Sequence, residues 1–313
     1  MKELLKQLED IKSLKIQGAT NVAKKGMEFL HNFAQRHQDL PRDKLLKELL
    51  KAKELIKNAR ATEPALRNGL QFVLNKLFTL KDEPSCDMAD CVTEYSKIYI
   101  ETIKNAKKRI MEIGSERIPK SRKFSVLTHC HSSVVTGILL KANEQGKNFR
   151  VFCTETRPRF QGYLTAKELL AAGIRTTLVV DSAMRWVVRN YPIDMILVGA
   201  DAITSEGTVL NKIGSRLLAL VAREMHVPFY VATPLLKYNP DSVFGTLEQI
   251  EMRDHFEIWP EKPENLEILN PAFETVSRRY IDGLITEAGI FPGTLVSRVF
   301  YEQYPDLKPL GQY

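Results

Sequence analysis

Residues 124–131, Phe-Ser-Val-Leu-Thr-His-Cys-His, are a short apolar run that stops on a cysteine between two histidines. A thiol at the mouth of a strand, with the next helix starting beside it, meets that helix's free N–H groups and positive terminus. Such a setting lowers a thiol's pKa and makes it a base or nucleophile. A lone cysteine is more often a small core hydrophobe, but the flanking His129 and His131 favour a chemical role for Cys130. A cysteine-hydrolase triad competes for the same residues, although neither the Cys-His order nor the neighbouring residues match a nucleophile signature. Asp201 ends the run Met195-Ile196-Leu197-Val198-Gly199-Ala200. A carboxylate at the end of a buried strand is poorly solvated, which suits it to giving a proton; its plainer use is as a cap or turn former.

Other residues could bind an anion. Asn211-Lys212-Ile213-Gly214 reads as the opening of a helix over about 211–225, placing an amide and an ammonium where a phosphate would rest. The turn Gln17-Gly18-Ala19-Thr20, ahead of another helix, offers backbone N–H groups more weakly. Arg157, Arg159 and Lys237 add charge at two further strand ends; singly each is more often a surface charge, but together they describe an anion pocket.

These groups need a scaffold that brings strand ends together. From Lys123 the chain alternates short valine- and isoleucine-rich runs with helical patterns, the signature of strand–helix–strand units in a mostly parallel sheet. Strands are expected at about 124–128, 149–153, 175–180, 194–198, 227–232 and 281–286. Helices are expected at about 133–144, 163–172, 182–189, 211–225 and 293–303, and residues 240–275, rich in proline, as loops and short strands on an edge. In such a sheet ligands bind beyond the carboxyl ends of the strands. Residues 2 to about 113 read instead as helices throughout, the last of them long and opened by Pro84. The expected fold is therefore α/β: an all-helical amino-terminal domain over 1–114, then a Rossmann-like, mostly parallel sheet domain over 115–313.

Composition narrows the function classes. No stretch approaches the roughly 20 apolar residues of a membrane span, and the charged, amphipathic start is no signal peptide, so a cytoplasmic location is expected. Cys86, Cys91, Cys130 and Cys153 form no disulfide framework and no Cys-x-x-Cys metal pair; reduced thiols and no bound metal are expected. The net charge of +7 suits a phosphorylated small molecule. Nucleic acid is disfavoured, because the lysines are scattered over helical faces without interleaved aromatics.

Thr128-His129-Cys130-His131-Ser132, Arg157-Pro158 followed by Gln161-Gly162, Gly199-Ala200-Asp201 and Asn211-Lys212-Ile213-Gly214 together resemble the sugar-phosphate isomerase branch of the translation initiation factor 2B-related family. Glu251-Met252-Arg253-Asp254 and Asn270-Pro271-Ala272-Phe273 extend the likeness over nearly the whole chain. The resemblance implies an aldose–ketose isomerase acting on ribose 1,5-bisphosphate, with Cys130 and Asp201 as catalytic pair. It implies substrate contacts from Gly18, Ala19, Arg60, Arg157, Asn211, Lys212 and Lys237, and a homo-oligomer, dimer or trimer of dimers. Position 17 departs from the pattern: Gln17 stands where the isomerases carry arginine. Ala61 likewise stands after Arg60 in place of proline. A glutamine amide is neutral and offers fewer donors than a guanidinium, so Gln17 weakens the expected phosphate contact. No metal or organic cofactor is called for, and closure of the helical domain over the sheet is expected, to keep water from a charged intermediate. Two other functions fit the same residues. One is a non-catalytic regulatory subunit acting in translation; the other is an isomerase of 5-methylthioribose 1-phosphate.

Overall fold

The computed structural model describes residues 1–308 apart from positions 14, 17, 61–62 and 80–86. It divides into two compact units: one comprises Met1–Asn105, Leu236–Tyr238 and the stretch from Arg298, the other Ala106–Leu235 and Asn239–Ser297. The fold is α/β, helical at its amino-terminal end and followed by a mostly parallel sheet.

The first unit is built on helices α1 (Lys2–Lys12), α2 (Ala19–Gln35), α3 (Arg42–Ala59), α4 (Pro64–Thr79) and the first part of α5 (Met88–Ser115). Their apolar residues recur at three- and four-residue intervals, as in the buried series Val22, Ala23, Met27, Leu30, Phe33 and Ala34 of α2, so each helix turns one stripe inward. Pro84, read as the opener of α5, lies outside the described residues. Asn68 of α4 donates to the carbonyls of both Leu236 and Tyr238 at 2.8 Å, fixing the backbone on either side of Lys237.

In the second unit the strands are β1 (Phe124–Thr128), β2 (Phe149–Thr154), β3 (Arg175–Val179), β4 (Met195–Val198), β5 (Ala202–Ile203), β6 (Val209–Lys212), β7 (Phe229–Ala232), β8 (Phe273–Val276), β9 (Gly283–Thr286) and β10 (Gly289–Phe291). Between them run α6 (Ser133–Glu144), α7 (Gly162–Ala171), α8 (Met184–Asn190) and α9 (Ser215–Glu224); α10 (Val296–Gln303) follows the last strand and from Arg298 belongs to the first unit. The main sheet has the order β10-β9-β7-β4-β1-β2-β3, parallel throughout except that β10 runs antiparallel to β9. All five residues of β1 are buried, as expected for a central strand covered on both faces. The chain leaves β1 toward β2 and β3 on one side and later fills β4, β7 and β9 on the other, so the switch point lies at β1 and β4. Cys130 follows β1, and Asp201 follows β4.

Two expectations change here. Asn211 and Lys212 do not open a helix: they end β6, which pairs antiparallel with β5 and β8 in a separate three-stranded sheet. The run Val209-Leu210 is apolar and β-branched enough to pair, and Gly214 (φ +101°) then turns the chain into α9. The cysteines are not all thiols either. Cys91 is disulfide-bonded, whereas Cys130 and Cys153 are free. Four cysteines in a long chain argue against a disulfide framework but do not constrain a single bridge. Cys86 lies outside the described residues.

Candidate active site

Cys130 occupies the left-handed region at φ +67°, uncommon for a residue with a side chain. Its backbone is held from both sides. The N–H donates to Thr156 Oγ1 at 2.9 Å, and the carbonyl accepts from Thr165 Oγ1 at 3.0 Å. The thiol donates to Gln161 Oε1 at 3.6 Å. Thr156, itself at φ +61°, is anchored in turn by Asp181, whose carboxylate accepts from the Thr156 and Arg157 N–H groups at 2.8 and 2.7 Å. The ends of β1, β2 and β3 are thus tied together around the thiol.

His129 is not a free base beside the cysteine. It is 2% exposed, with Nδ1 2.6 Å from Thr154 Oγ1 and Nε2 2.7 Å from the Ile213 carbonyl. Gly214 sits against it, and a Cβ there would approach His129 Nε2 to 2.8 Å. His131 is part-buried, with Nδ1 3.2 Å from Thr165 Oγ1 and Nε2 3.8 Å from the Glu168 carboxylate.

The electrostatics of the thiol run opposite to the sequence-based expectation. Burial pushes the Cys130 thiol up to about 11, against Lys212 and the backbone hydrogen bond at His131, which pull it down; Asp201 and Asp181 push it further up. The residue keeps partial exposure, yet desolvation of the thiolate remains the largest influence on it. Lys212, Asp201 and Asp181 all act on this thiol.

Lys212 also lies over the Phe273 ring, Nζ 4.7 Å from its centroid. Asn211 is buried and donates to Ser215 Oγ at 2.8 Å, which donates to the Lys212 carbonyl at 2.6 Å. The amino terminus of α9, expected to receive a phosphate, already holds an anion. Glu274 Oε1 accepts from the N–H groups of Gly214 and Arg216 at 2.5 and 3.0 Å, the pairing a helix dipole favours. Arg157 follows β2, its guanidinium 4.9 Å from the Phe160 centroid. Arg159 pairs with Glu257 at 3.5 Å, so part of its charge is committed within the chain.

In the helical unit, Gly18 (φ +81°) precedes Ala19 at the start of α2, where no side-chain cap occupies the terminus. Arg60 ends α3 and pairs with Glu63 at 3.4 Å, both largely buried. Lys237 closes the short 3-10 turn Leu235–Lys237. Gln17 and Ala61 lie outside the described residues. Cys130, Asp201, Arg157, Asn211 and Lys212 thus belong to one unit, and Gly18, Ala19, Arg60 and Lys237 to the other. Among the described residues no cluster of three or more His, Cys, Asp or Glu could hold a metal ion. Among the same residues no helix is long and apolar enough to cross a membrane.

Sequence reasoning missed Thr154, Thr156, Thr165 and Asp181 as the frame of the thiol, and Glu274 as the cap of α9. The signal for the first group was present: Thr154-Glu155-Thr156 and Asp181 end successive strands, where polar residues gather.

The profile of the Initiation factor 2 subunit family matches residues 15–293. A ribose 1,5-bisphosphate isomerase of Archaeoglobus fulgidus is 38% identical over 97% of this chain and 94% of its own. Among solved structures, a translation initiation factor eIF-2B of Pyrococcus horikoshii superposes with a TM-score of 0.78 at 29% identity, covering 93% of this chain and 98% of that one. A 5-methylthioribose 1-phosphate isomerase of the same organism also gives a TM-score of 0.78, at 25% identity over 96% of this chain and 88% of its own.

Proposed function

We propose that this chain, which belongs to the Initiation factor 2 subunit family, is an aldose–ketose isomerase converting α-ribose 1,5-bisphosphate to ribulose 1,5-bisphosphate. The observation that carries the proposal is the placement of the Cys130 thiol at the sheet's switch point under the joint influence of Lys212 and Asp201. A non-catalytic binding protein has no need of a thiol held at a strand end in the left-handed region, within electrostatic reach of a lysine and a carboxylate.

The substrate dictates the chemistry. Phosphate on the anomeric oxygen prevents opening to a free aldehyde, so the ring oxygen must be protonated as the bond from C1 breaks. Asp201 is assigned that proton. Cys130 takes the hydrogen from C2 of the opened cation, leaving an enol phosphate. A proton delivered to C1, with loss of the C2 hydroxyl proton, completes the ketose. Both roles need a proton on Asp201 and none on Cys130, the reverse of the order burial imposes on the thiol. Lys212 is the cation that acts against this without outweighing it, and it is further assigned with Asn211 and Arg157 to substrate binding. Gly18, Ala19, Arg60 and Lys237 are proposed as phosphate contacts, with Gln17, next to Gly18 in the sequence, as a weakened one.

A second phosphate calls for cations, whereas a methylthio group calls for an apolar pocket; Lys237 and Arg60 support the bisphosphate. The test is turnover of ribose 1,5-bisphosphate and 5-methylthioribose 1-phosphate by the purified protein under identical conditions. A higher kcat/KM for the bisphosphate is expected. Preference for the methylthio sugar would transfer the assignment to it, and turnover of neither, with tight binding to an initiation-factor partner, would favour a regulatory subunit.

A further inference from the structure

The side chain that bridges the thiol's neighbourhood to the lysine's is His129, a residue with no part in the proton transfers above. Its hydrogen bonds fix its tautomer. The Ile213 carbonyl can only accept, so Nε2 carries the hydrogen, and Nδ1 of a neutral ring must then accept from the Thr154 hydroxyl. Having donated to the ring, Thr154 Oγ1 is left to accept, and Thr156 Oγ1 lies 3.3 Å away as its donor; the Thr154 carbonyl, at 3.4 Å, is the other acceptor within reach of that hydroxyl. Thr156 Oγ1 accepts the Cys130 N–H. With the Thr156 hydroxyl turned to Thr154 Oγ1, the nearer of its two acceptors, the bonds share one direction, from the Cys130 amide through two hydroxyls and an imidazole to the carbonyl that follows Lys212.

His129, Thr154 and Thr156 are 2%, 0% and 1% exposed, so the chain excludes solvent, and in such surroundings an unmade bond is costly. The charged groups facing the ring are Asp181, 3.9 Å from Nδ1, and Lys212. Burial holds the ring's pKa below its ordinary value despite the Ile213 bond and Asp181, and Lys212 adds to the lowering. The ring stays neutral and the direction is kept. Cys130 and Thr156 both sit in the left-handed region, a conformation that costs of order 1–3 kcal/mol and persists where surrounding structure over-determines it.

We propose that His129, Thr154 and Thr156 form a directional hydrogen-bond relay that positions the Cys130 thiol at one end and the Lys212 segment at the other. The proposal rests on Cys130 and Lys212 serving the reaction assigned above. They are positioning residues, since none is assigned contact with the sugar. A relay joining two functional groups makes a different forecast from a packed core. Damage at the thiol end alters the proton transfer alone, whereas damage at the imidazole alters both ends.

The test measures kcat, KM and the rate at which iodoacetamide alkylates Cys130, followed on the Cys130 peptide with buried Cys153 as internal control. Thr156→Val, which keeps shape and loses the hydroxyl, is expected to lower kcat at least about tenfold with KM unchanged, since small misplacements at a reacting group carry losses of this size. Its Cys130 is expected to alkylate at least about threefold faster, the loss of one net hydrogen bond. Thr156→Ser is expected to recover most of both. His129→Phe is expected to lower kcat and raise KM together; should it not fold, Thr156→Val and Thr154→Val carry the test. Wild-type kcat and alkylation rate in folded Thr156→Val, or no recovery in Thr156→Ser, would overturn the relay. Altered alkylation in a protein whose wild type turns over neither sugar would support the relay while removing the isomerase assignment.

Discussion

At the scale of the residue, the proposed chemistry turns on a thiol that burial keeps protonated. The expectation of an activated thiolate came from one neighbour, the start of the next helix; the structure adds desolvation and two carboxylates, which together outweigh Lys212. Only the thiolate alkylates. With the thiol at about 11, its reactive fraction should therefore climb about tenfold per pH unit through the neutral range, with no levelling below pH 10 or so. Alkylation of Cys130 by iodoacetamide from pH 7 to 10 measures this. A plateau near pH 8 would mean that positive charge dominates the site. Lys212→Met should slow alkylation at every pH, because it removes the first of the groups that favour the thiolate.

At the scale of the element, the site depends on close approaches that only particular backbones permit. Gly214 turns β6 into α9 at φ +101° and leaves room for the His129 ring where a Cβ would come within 2.8 Å. Gly214→Ala meets both penalties, and the strained conformation alone costs of order 1–3 kcal/mol. Urea unfolding should show a loss of at least that size; a variant as stable as the parent would mean that ring and backbone shift apart freely. Glu274→Gln removes a charge from the amino terminus of α9 and should lower stability by about 0.3–1 kcal/mol, read in the same experiment. The strands β1, β2, β3, β4, β7 and β9 were legible in the sequence because each is a short run rich in apolar or β-branched residues ended by polar ones, and the helices between them by their three- and four-residue periodicity. The three-stranded sheet was not. Val209-Leu210-Asn211-Lys212 is too short to separate a strand from the first turn of a helix, and its partner β8 lies about sixty residues away, beyond any local signal. Local signals likewise marked Cys130 and Asp201 as strand-end groups, while the threonine frame arises only once three loops are brought together.

At the scale of the whole molecule, the fold alone does not choose the function. One architecture is shared with a structure named for translation initiation and with one named for sugar isomerisation, so the assignment rests on the site. The helical unit carries Gly18, Ala19, Arg60 and Lys237, and the sheet unit carries Cys130, Asp201, Arg157, Asn211 and Lys212. On the proposed assignment, changes in the first set should act mainly on KM, since a phosphate remote from C1 and C2 is held alike in ground and transition states. Changes in Cys130 and Asp201 should act on kcat. The most direct measurement of the central claim is proton NMR of α-ribose 1,5-bisphosphate incubated with the wild-type protein, Cys130→Ser and Asp201→Asn at matched concentrations. Ribulose 1,5-bisphosphate should appear with the wild type and about 10²–10⁴ times more slowly with either variant, all three unfolding at similar temperatures. No ketose from the wild type, even at enzyme concentrations equal to substrate, or equal rates in all three proteins, would contradict it.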